Sequence, residues 1–439
     1  MNIRLALFLC FRNIFGKESR KNGDSSRRKL RTAVAGIFLS LIPLIVVLEM
    51  ASGMIEGITR RYLEVGTFHL QARNYSGRVG EEEIFSLAEK ISRIRGVTQA
   101  VPIIQGLGLA YSKKGTGGVA LRALPADLYI RDKAIKEYVE FLQGEFNLES
   151  PEDLLISRSI AEKLNVRLGD RVKILTAMIV PGRPFILRPN IFTVRGVFTT
   201  GYHELDSLAV YIPYQRGERL FREAGSRFIG IKVEDPYSSL SGMIREIRQV
   251  LPGGWIVYTW YELEESMYRA FQTTKSLLIF IMILIVCVAS VNISSALIMM
   301  VIEKNREIAI LKSTGASPET ISLSFVFTGF LIGTIGTVLG TGAGLLVSVN
   351  INEVIGGLES FINGILKIVW SIFFSRAEQE FSQIEILNPS FYLQTIPIRI
   401  DPWELFGIAA LTIALSTFAS YFPARRAGRI RPLDILRKH

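Results

Sequence analysis

The histidines of this chain are the first residues to test for chemistry, because imidazole binds metals and transfers protons near neutral pH. There are three, His69, His203 and His439, and no two of them stand at the spacing of a metal site. The sequence also lacks a phosphate-binding loop of the form Gly-x-x-x-x-Gly-Lys-Ser/Thr. We therefore predict no catalytic residue, no metal ligand and no cofactor in this chain, and any ATP that drives it must bind to another protein.

Four apolar stretches dominate the rest of the sequence. Of the 439 residues, 49% are hydrophobic, and they concentrate in stretches that approach or exceed the roughly 20 residues a helix needs to cross a membrane. The stretches are residues 32–53, 276–302, 321–349 and 403–423. Glu49 lies near the end of the first stretch, where a charge is tolerable at an interface and costly at the bilayer centre. The sequence predicts four transmembrane helices.

The basic residues indicate the orientation, because Lys and Arg accumulate in short cytoplasmic segments. Residues 1–31 hold nine of them against two acidic residues, and residues 424–439 hold six against one. These two segments carry +12 together, while the whole chain carries +11, so the rest of the chain has a net charge of −1 and the basic character is a topology signal and not a sign of nucleic-acid binding. Both termini and residues 303–320 are expected in the cytoplasm, with residues 54–275 and 350–402 outside.

The segment between the first and second stretches alternates strand-like and helix-like patterns. The periodicity predicts strands such as Val97–Tyr111 and Phe192–Val197 and helices such as Glu81–Arg93, and Ser157 is expected to cap another helix. This mixture predicts an α+β domain. Residues 178–189 contain three prolines and are expected to project as a loop or splayed hairpin, because proline pairs poorly within a sheet. An ordinary surface loop is the alternative.

The 60 residues of Trp255–Thr314 contain neither glycine nor proline. A single helix over Tyr261–Ile302 would be about 63 Å long, about twice the thickness of the hydrocarbon core. The second span is therefore expected to continue outward as a stalk beneath the external domain. A break near Thr273 or Thr274 is the alternative.

Three further helical segments have distinct patterns. Glycines recur at three- and four-residue spacing over Gly329–Gly344, which predicts a face for close helix packing and no chemistry. Phe361–Phe374 is apolar for about 14 residues, which is too short to span the membrane. Together with Trp370, this segment predicts a helix in the interface on the outer surface of the same membrane. Residues 3–15 predict an amphipathic helix on the inner membrane surface and not a secretory signal.

A short amphipathic helix is predicted in the loop EKNREIAILKSTGAS, Glu303–Ser317, between the second and third spans. Gly315 is expected to end it, and Ser317-Pro318 to begin the next helix. Residues 303–320 carry three basic and three acidic residues, and this zero net charge favours a protein partner over a lipid surface. A plain connector on the membrane surface is the alternative.

This loop resembles the coupling-helix motif of permeases in the family that includes the lipoprotein-releasing Lol subunits, the MacB exporters and FtsX. The C-terminal YFPARRAGRIRPLDILR, Tyr421–Arg437, is similar to the ending of the same family. The stretches LVSVNINEVI, ILNPSFYLQTIPIRI and VPGRPFILRPNIFTVRGVF resemble the LolC/LolE type of lipoprotein-releasing ABC transporter permease. The resemblance covers nearly the whole chain, although residues 357–385 form a longer segment than usual and the basic stretch Lys17–Arg31 is extended.

The resemblance implies a subunit of the bacterial inner membrane that extracts triacylated lipoproteins and passes them to a periplasmic carrier similar to LolA. It implies a dimer with a second copy or a related permease, bound to two LolD-like ATPase subunits that hold ATP and magnesium. The expected fold is an α+β integral membrane protein, with four transmembrane helices and a large α+β periplasmic domain between the first and second.

The resemblance also implies three groups of functional residues. Those that would couple to the ATPase are Glu303, Arg306, Glu307, Ile308, Ile310, Leu311 and Gly315. Those that would line a lipid cavity, unless they simply face lipid, are Leu41, Leu44, Val47, Leu48, Ile281, Leu284, Ile285 and Val288. Those that would bind the carrier are Pro181, Arg183, Pro184 and Arg188.

These expectations divide the chain into nine segments. They are a cytoplasmic amphipathic and basic segment (1–31), the first transmembrane helix (32–53), the periplasmic α+β domain with its stalk (54–275), the second transmembrane helix (276–302), the cytoplasmic coupling helix (303–320), the third transmembrane helix (321–349), a periplasmic loop with an interfacial helix (350–402), the fourth transmembrane helix (403–423) and a cytoplasmic tail (424–439).

Two alternative functions stay open at this point. An FtsX-like regulator would transmit motion to a periplasmic hydrolase, but the large first external domain disfavours it. A MacB-like exporter permease would normally share its chain with an ATPase, and this sequence contains none.

Overall fold

The computed structural model describes residues 3–15, 21–77, 79–178, 186–221, 225–373 and 397–431. The helices of this part are α1 (Ile3–Phe15), α2 (Lys21–Arg61), α3 (Glu81–Ser92), α4 (Leu128–Arg131), α5 (Lys133–Tyr138), α6 (Arg158–Leu164), α7 (His203–Asp206), α8 (Tyr214–Leu220), α9 (Ser241–Val250), α10 (Trp260–Leu263), α11 (Glu265–Glu303), α12 (Asn305–Ser313), α13 (Pro318–Val349), α14 (Ile351–Phe373) and α15 (Pro402–Gly428). A turn of π-helix, Tyr62–Thr67, follows α2.

The strands form one sheet. They are β1 (Leu70–Asn74), β2 (Val97–Tyr111), β3 (Thr116–Leu124), β4 (Glu140–Gly144), β5 (Asp153–Ser157), β6 (Arg171–Met178), β7 (Ile186–Thr199), β8 (Ala209–Pro213), β9 (Ser226–Val233) and β10 (Trp255–Thr259). The chain separates into two compact units. Of the described residues, the helical unit contains 3–15, 21–54, 272–373 and 397–431, and the sheet unit contains those between 55 and 271.

Four described helices are long and apolar enough to cross a membrane. They lie within Leu30–Thr67, Glu265–Glu303, Pro318–Val349 and Pro402–Gly428. The sheet unit comes between the first two of them in the sequence. The predicted fold class, four membrane helices with a mixed α and β domain between the first and second, is confirmed.

The second candidate span, α11, is a single helix of 39 residues. It runs without a break through Thr273 and Thr274, as the absence of glycine and proline predicts. It begins at Glu265 and not at Tyr261, because a separate turn, α10, precedes it. Thr259 and Glu262 cap that turn reciprocally, and this capping box fixes the start of a helix at Trp260.

The glycines of α13 form two contact faces in the helical unit. Gly329 and Gly333 lie against Ser420 and Ser416 of α15. Further along, Gly336, Gly340 and Gly344 lie against Ile37, Leu41 and Ile45 of α2. Because glycine has no side chain, the backbones of α2 and α15 approach α13 closely at these positions. Helices associate in this way in a membrane, where apolar burial contributes little net free energy. The glycines of α13 thus have the packing role that the sequence predicted.

Replacing Gly336 by leucine should destabilise the helical unit. A Cβ atom at this position would lie 2.9 Å from the Cβ of Ile37, so α2 and α13 must separate, at a cost of about 1 to 3 kcal/mol. The expected result is a lower Tm of the purified chain in detergent, followed by intrinsic fluorescence. Gly342→Leu is the matched control, because a Cβ there meets no atom within 4 Å. Equal losses in both variants would contradict the packing role.

The strands of the sheet unit follow the order β10-β1-β9-β2-β3-β8-β5-β7-β4, and β6 pairs with both β2 and β7. The strands β2, β3, β8, β5, β7 and β6 therefore close into a ring. One core cluster takes side chains from every strand of this ring, including Ala110, Leu121, Ile212, Ile156, Val194 and Ile174. Alternation along each strand directs these residues to a common interior.

The hairpin of β6 and β7 changes one expectation from the sequence. The strand predicted at Phe192–Val197 begins at Ile186, so Ile186–Pro189, expected in a loop or splayed hairpin, is part of β7. Pro189 pairs with Leu175 and the ladder extends to Met178 opposite Ile186. A proline cannot donate to the ladder, but the remaining residues pair, and this holds the strand together.

Candidate functional site

The loop between the second and third spans forms the predicted helix, α12. It occupies Asn305–Ser313, and Gly315 follows with φ of 101°, a left-handed conformation that glycine adopts without a Cβ clash. Ser317 then caps α13 by accepting from the amide of Thr320. The capping residues therefore predicted the end of α12 and the start of α13 correctly.

One side of α12 is fixed to the helical unit. Ile308 and Ala309 are buried. Lys312 Nζ donates to the backbone carbonyls of Gly428 and Ile430, at 2.9 and 2.7 Å. Gly428 is the last residue of α15 and Ile430 follows two residues later, at the helix end where the helix dipole favours a cation. This bond could not be predicted from the sequence, because Lys312 and Gly428 are 116 residues apart.

The other side of α12 faces outward. Ile310 is 48% exposed, an unusual position for a large apolar side chain. Arg306, one helical turn before it, is exposed as well, as are Glu303 and Gly315. These four residues, out of the seven predicted to couple to an ATPase, form an accessible surface.

The remaining coupling candidates are held within the helical unit. Ile308 is buried and Leu311 is half-buried. Glu307 is partly exposed and forms ion pairs with Lys304 at 3.7 Å and with Arg12 of α1 at 3.8 Å. These side chains hold α12 against the rest of the helical unit.

The lipid-cavity candidates separate into two sets. A cavity of about 180 Å³ between α2 and α11 brings five of them together, Leu44, Val47, Leu48, Ile281 and Ile285. Pro43, Leu278 and Met282 complete its apolar lining. Leu41 does not line it, because it is buried against Gly340. Leu284 and Val288 are exposed on α11 and also lie outside it.

Glu49 lies one residue beyond this lining and is 1% exposed. Neither of its carboxylate oxygens has a hydrogen-bond partner within the described residues. Its surroundings include Lys275 of α11, which pairs with Glu404 of α15. The sequence predicted an interfacial position for this carboxyl group, and the structure encloses it between helices.

The carrier-binding candidates are described only in part. Pro181, Arg183 and Pro184 lie outside the described residues. The backbone of Arg188 belongs to β7, where it pairs with Thr176 of β6. The segment 179–185 thus connects two strands that pair up to Met178 and Ile186, which agrees with the hairpin expected from the sequence.

An apolar surface on the sheet unit was missed in the sequence. Leu107 and Leu109 are 73% and 45% exposed on β2, and Ile191 of β7 is exposed as well. Leu109 pairs with Leu175 of β6, which is half-buried, so these side chains share the outer face of the ring. The pattern Gly-Leu-Gly-Leu at 106–109 could have indicated this apolar surface, because leucines two residues apart lie on one face of a strand.

A buried ion cluster fixes the π-helical turn after α2. Lys232 Nζ lies 2.9 Å from Glu64 Oε2 and 2.7 Å from Asp132 Oδ2, and both Lys232 and Asp132 are almost fully buried. His69 bonds Glu64 through Nε2 at 3.1 Å, and its Nδ1 accepts from the amide of Val233. Asp132 also caps α5. Each charge in this cluster therefore has an opposite charge or a hydrogen bond.

The cluster changes the pKa of Glu64. Burial alone would raise this pKa, but the hydrogen bond from His69 and the charge of Lys232 outweigh it and lower the pKa to about 2. Glu64 is thus a carboxylate at any physiological pH. No group of histidine, cysteine and acidic residues that could hold a metal ion occurs in the part of the chain that the structure describes.

Two family models match this sequence. The model for the FtsX-like permease C-terminal region matches residues 279–432, and the model for the MacB-like periplasmic core domain matches residues 32–249. Together they include most of α11, all of α12 to α15, nearly all of the first candidate span and most of the sheet unit.

Curated relatives match along most of the chain. The lipoprotein-releasing system transmembrane protein LolC of Neisseria meningitidis is 26% identical and covers 96% of each chain. The corresponding LolE of Haemophilus influenzae is 24% identical over 68% of this chain and 67% of its own. The crystal structure of the extracellular domain of the transporter YknZ from Gram-positive bacteria covers 43% of this chain and 99% of its own at 14% identity, with a TM-score of 0.29 that is too low to bear on the fold.

Proposed function

Since the chain belongs to the LolC/LolE type of lipoprotein-releasing permease, within the MacB and FtsX-like permease family, we propose that it extracts lipoproteins from the inner membrane and passes them to a periplasmic carrier. A separate ATPase subunit, similar to LolD, hydrolyses the ATP. The observation that supports the proposal is the apolar cavity between α2 and α11, which are two of the candidate membrane spans.

The energetic need for such a cavity follows from the cargo. Acyl chains hold a lipid anchor by about 0.8 kcal/mol per buried CH₂, so three chains of about 15 carbons contribute roughly 35 kcal/mol. Spontaneous release is negligible on that scale. A cavity that offers apolar surface to the chains removes most of this barrier, because the chains then leave the bilayer without entering water.

The cavity in one copy is too small for this cargo. Its 180 Å³ is below the 300 to 1,000 Å³ of pockets that enclose drug-sized ligands. A second copy or a related permease would have to enlarge it. Leu284 and Val288, exposed on α11 outside the cavity, are available to line the larger space between two copies.

The outward side of α12 is the proposed contact with the ATPase. Ile310 would enter a pocket of the partner, while Arg306 and Glu303 would contribute polar contacts at the rim. The excess of basic residues in the two terminal segments supports a cytoplasmic position for this helix by the positive-inside rule, with the sheet unit in the periplasm.

The carrier would bind on the sheet unit, at the β6–β7 hairpin. The exposed leucines of β2 and Ile191 of β7 give this side of the ring an apolar surface, of the kind that marks protein-binding sites. Arg183 and Arg188 would orient the carrier from the hairpin itself.

Reconstitution tests the proposal. The permease, its ATPase subunit and its partner permease are placed in liposomes with a triacylated lipoprotein, and a LolA-like carrier is added outside. We expect ATP to move the lipoprotein into the soluble fraction. ATP hydrolysis without transfer would refute the proposal, and activation of a wall hydrolase would instead support an FtsX-like regulator. Export of a soluble peptide would support a MacB-like exporter.

The same assay tests the carrier contact. Replacing Arg183 and Arg188 by alanine should weaken capture of the carrier while ATP hydrolysis continues. Unchanged capture would exclude this role for the two arginines, without affecting the proposal on lipoprotein release.

A further inference from the structure

Helix α14 is amphipathic and directly follows a membrane span. It starts at Ile351, with Asn350 alone between it and the end of α13. It runs for 23 residues to Phe373, much longer than the apolar segment recognised in the sequence. Its exposed apolar side chains are Val354, Leu358, Phe361, Ile365 and Ile368. Their spacing of four and three residues puts them in one stripe along the helix.

The apolar side is wider than this stripe. Ile355, Ile362 and Leu366 follow the exposed residues around the helix and are half-buried. A seam between two paired helices needs only the narrow stripe at positions a and d of each heptad. A broad apolar arc, with one half exposed, fits the surface of a lipid layer better than it fits a second helix.

The opposite side of α14 is polar and carries Glu353, Glu359 and Lys367. A Cβ atom at Gly356, on this side, would meet nothing within 4 Å. Glycines also lower the intrinsic stability of a helix, so α14 depends on an apolar environment along its other side.

We propose that α14 binds the surface of the lipid bilayer, with the stripe of Leu358, Phe361 and Ile365 at the boundary between headgroups and acyl chains. The continuity of α14 with α13 supports this binding, because a helix that starts one residue after a membrane span begins at the depth of the lipid headgroups. The assignment to the outer leaflet rests on the orientation in the proposed function; the binding itself does not.

The charges of α14 determine how it binds. Glu353, Glu359 and Lys367 give the helix no excess of positive charge, so attraction to anionic lipids does not hold it there. Binding comes from apolar burial and is insensitive to salt. The helix would occupy the leaflet immediately beside the permease, where the acyl chains of a lipoprotein cargo also lie.

Spin labels measure the depth of α14 in the full chain. Single cysteines are introduced at Leu358, Phe361 and Ile365, and as controls at Gly356 and Ser360 on the polar side, after Cys10→Ala and Cys287→Ser. The labelled protein is reconstituted in bilayers of phosphatidylethanolamine and phosphatidylglycerol. We expect the first three labels to be several-fold more accessible to oxygen than to a water-soluble nickel complex, with the reverse at the two controls, at low and high salt alike.

Two results would overturn the inference. Equal nickel accessibility on both sides would place α14 in water. Dipolar coupling between labels at Phe361 of two copies, with exclusion of both oxygen and nickel, would assign the stripe to a second copy. The measurement needs no transport, so it stands if the lipoprotein assay fails, and a transfer-competent protein with α14 in water would refute this inference alone.

Discussion

Lys232→Met is expected to lower the free energy of unfolding by about 3 to 5 kcal/mol, the usual loss when one partner of a buried ion pair is removed. The substitution retains most of the side-chain volume but removes the one ammonium group between Glu64 and Asp132. For a unit of this size, that loss corresponds to a fall in Tm of roughly 6 to 20 °C.

Thermal unfolding of the full chain in detergent measures this loss. Tryptophan fluorescence is a suitable probe, because Trp260 is buried in the sheet unit. Lys113→Met is the control for a surface lysine, since Lys113 is exposed, and it should change stability by less than about 0.5 kcal/mol. A Tm for Lys232→Met equal to that of this control would contradict the role of the cluster.

A triple variant separates charge from packing. Glu64→Gln and Asp132→Asn, added to Lys232→Met, leave no unpaired charge, and asparagine can still cap α5. The triple variant should recover part of the lost stability, because a buried ion pair replaced as a whole is often nearly neutral. No recovery would mean that the loss comes from packing.

The cluster also predicts how stability depends on pH. The folded-state pKa of Glu64 is about 2, below the value of roughly 4.3 expected in an unfolded chain. Its contribution is therefore complete above about pH 4.3 and is lost as the pH falls toward 2. In Glu64→Gln this part of the acid sensitivity should disappear from the pH profile of Tm.

Ile310→Asp should weaken binding of the ATPase subunit about thirtyfold or more. Large apolar residues at the centre of an interface commonly contribute 2 kcal/mol or more, and a buried aspartate adds a desolvation cost. Folding of the permease should be unaffected, because α12 is held by Ile308 and Lys312 on its other side.

Binding is measured by titrating the purified permease with its ATPase subunit, and coupling by the ATP hydrolysis that the permease stimulates. Ile130→Asp is the matched control, because Ile130 is an exposed isoleucine on α4 of the sheet unit. An affinity for Ile310→Asp within twofold of the control would remove α12 from the ATPase contact.

Local patterns predicted the elements of this chain well. The apolar stretches, the run without glycine or proline and the cap at Ser157 correspond to helices in the structure. The strand Val97–Tyr111 has the bounds expected from its alternation. Each of these features depends on residues within a single helix or strand, and periodicity and capping act over this range.

The long-range features could not be predicted. The closure of β6 between β2 and β7 joins distant segments, and the prolines of 178–189 indicated a loop or splayed hairpin where β7 begins. The bond from Lys312 to the end of α15 and the cluster around Lys232 depend on side chains far apart in sequence. Nothing local distinguishes these lysines from exposed ones.

Closure of the strands into a ring affects how crowded copies of this protein behave. Among the described strands, only β4 and β10 have a single neighbour, and each is five residues long. A register shift between Phe141 and Gln143 further distorts β4. Long free edges are templates on which strands of other molecules add, and this unit offers only short ones. Many copies can thus be packed side by side in one membrane without polymerising through their sheets.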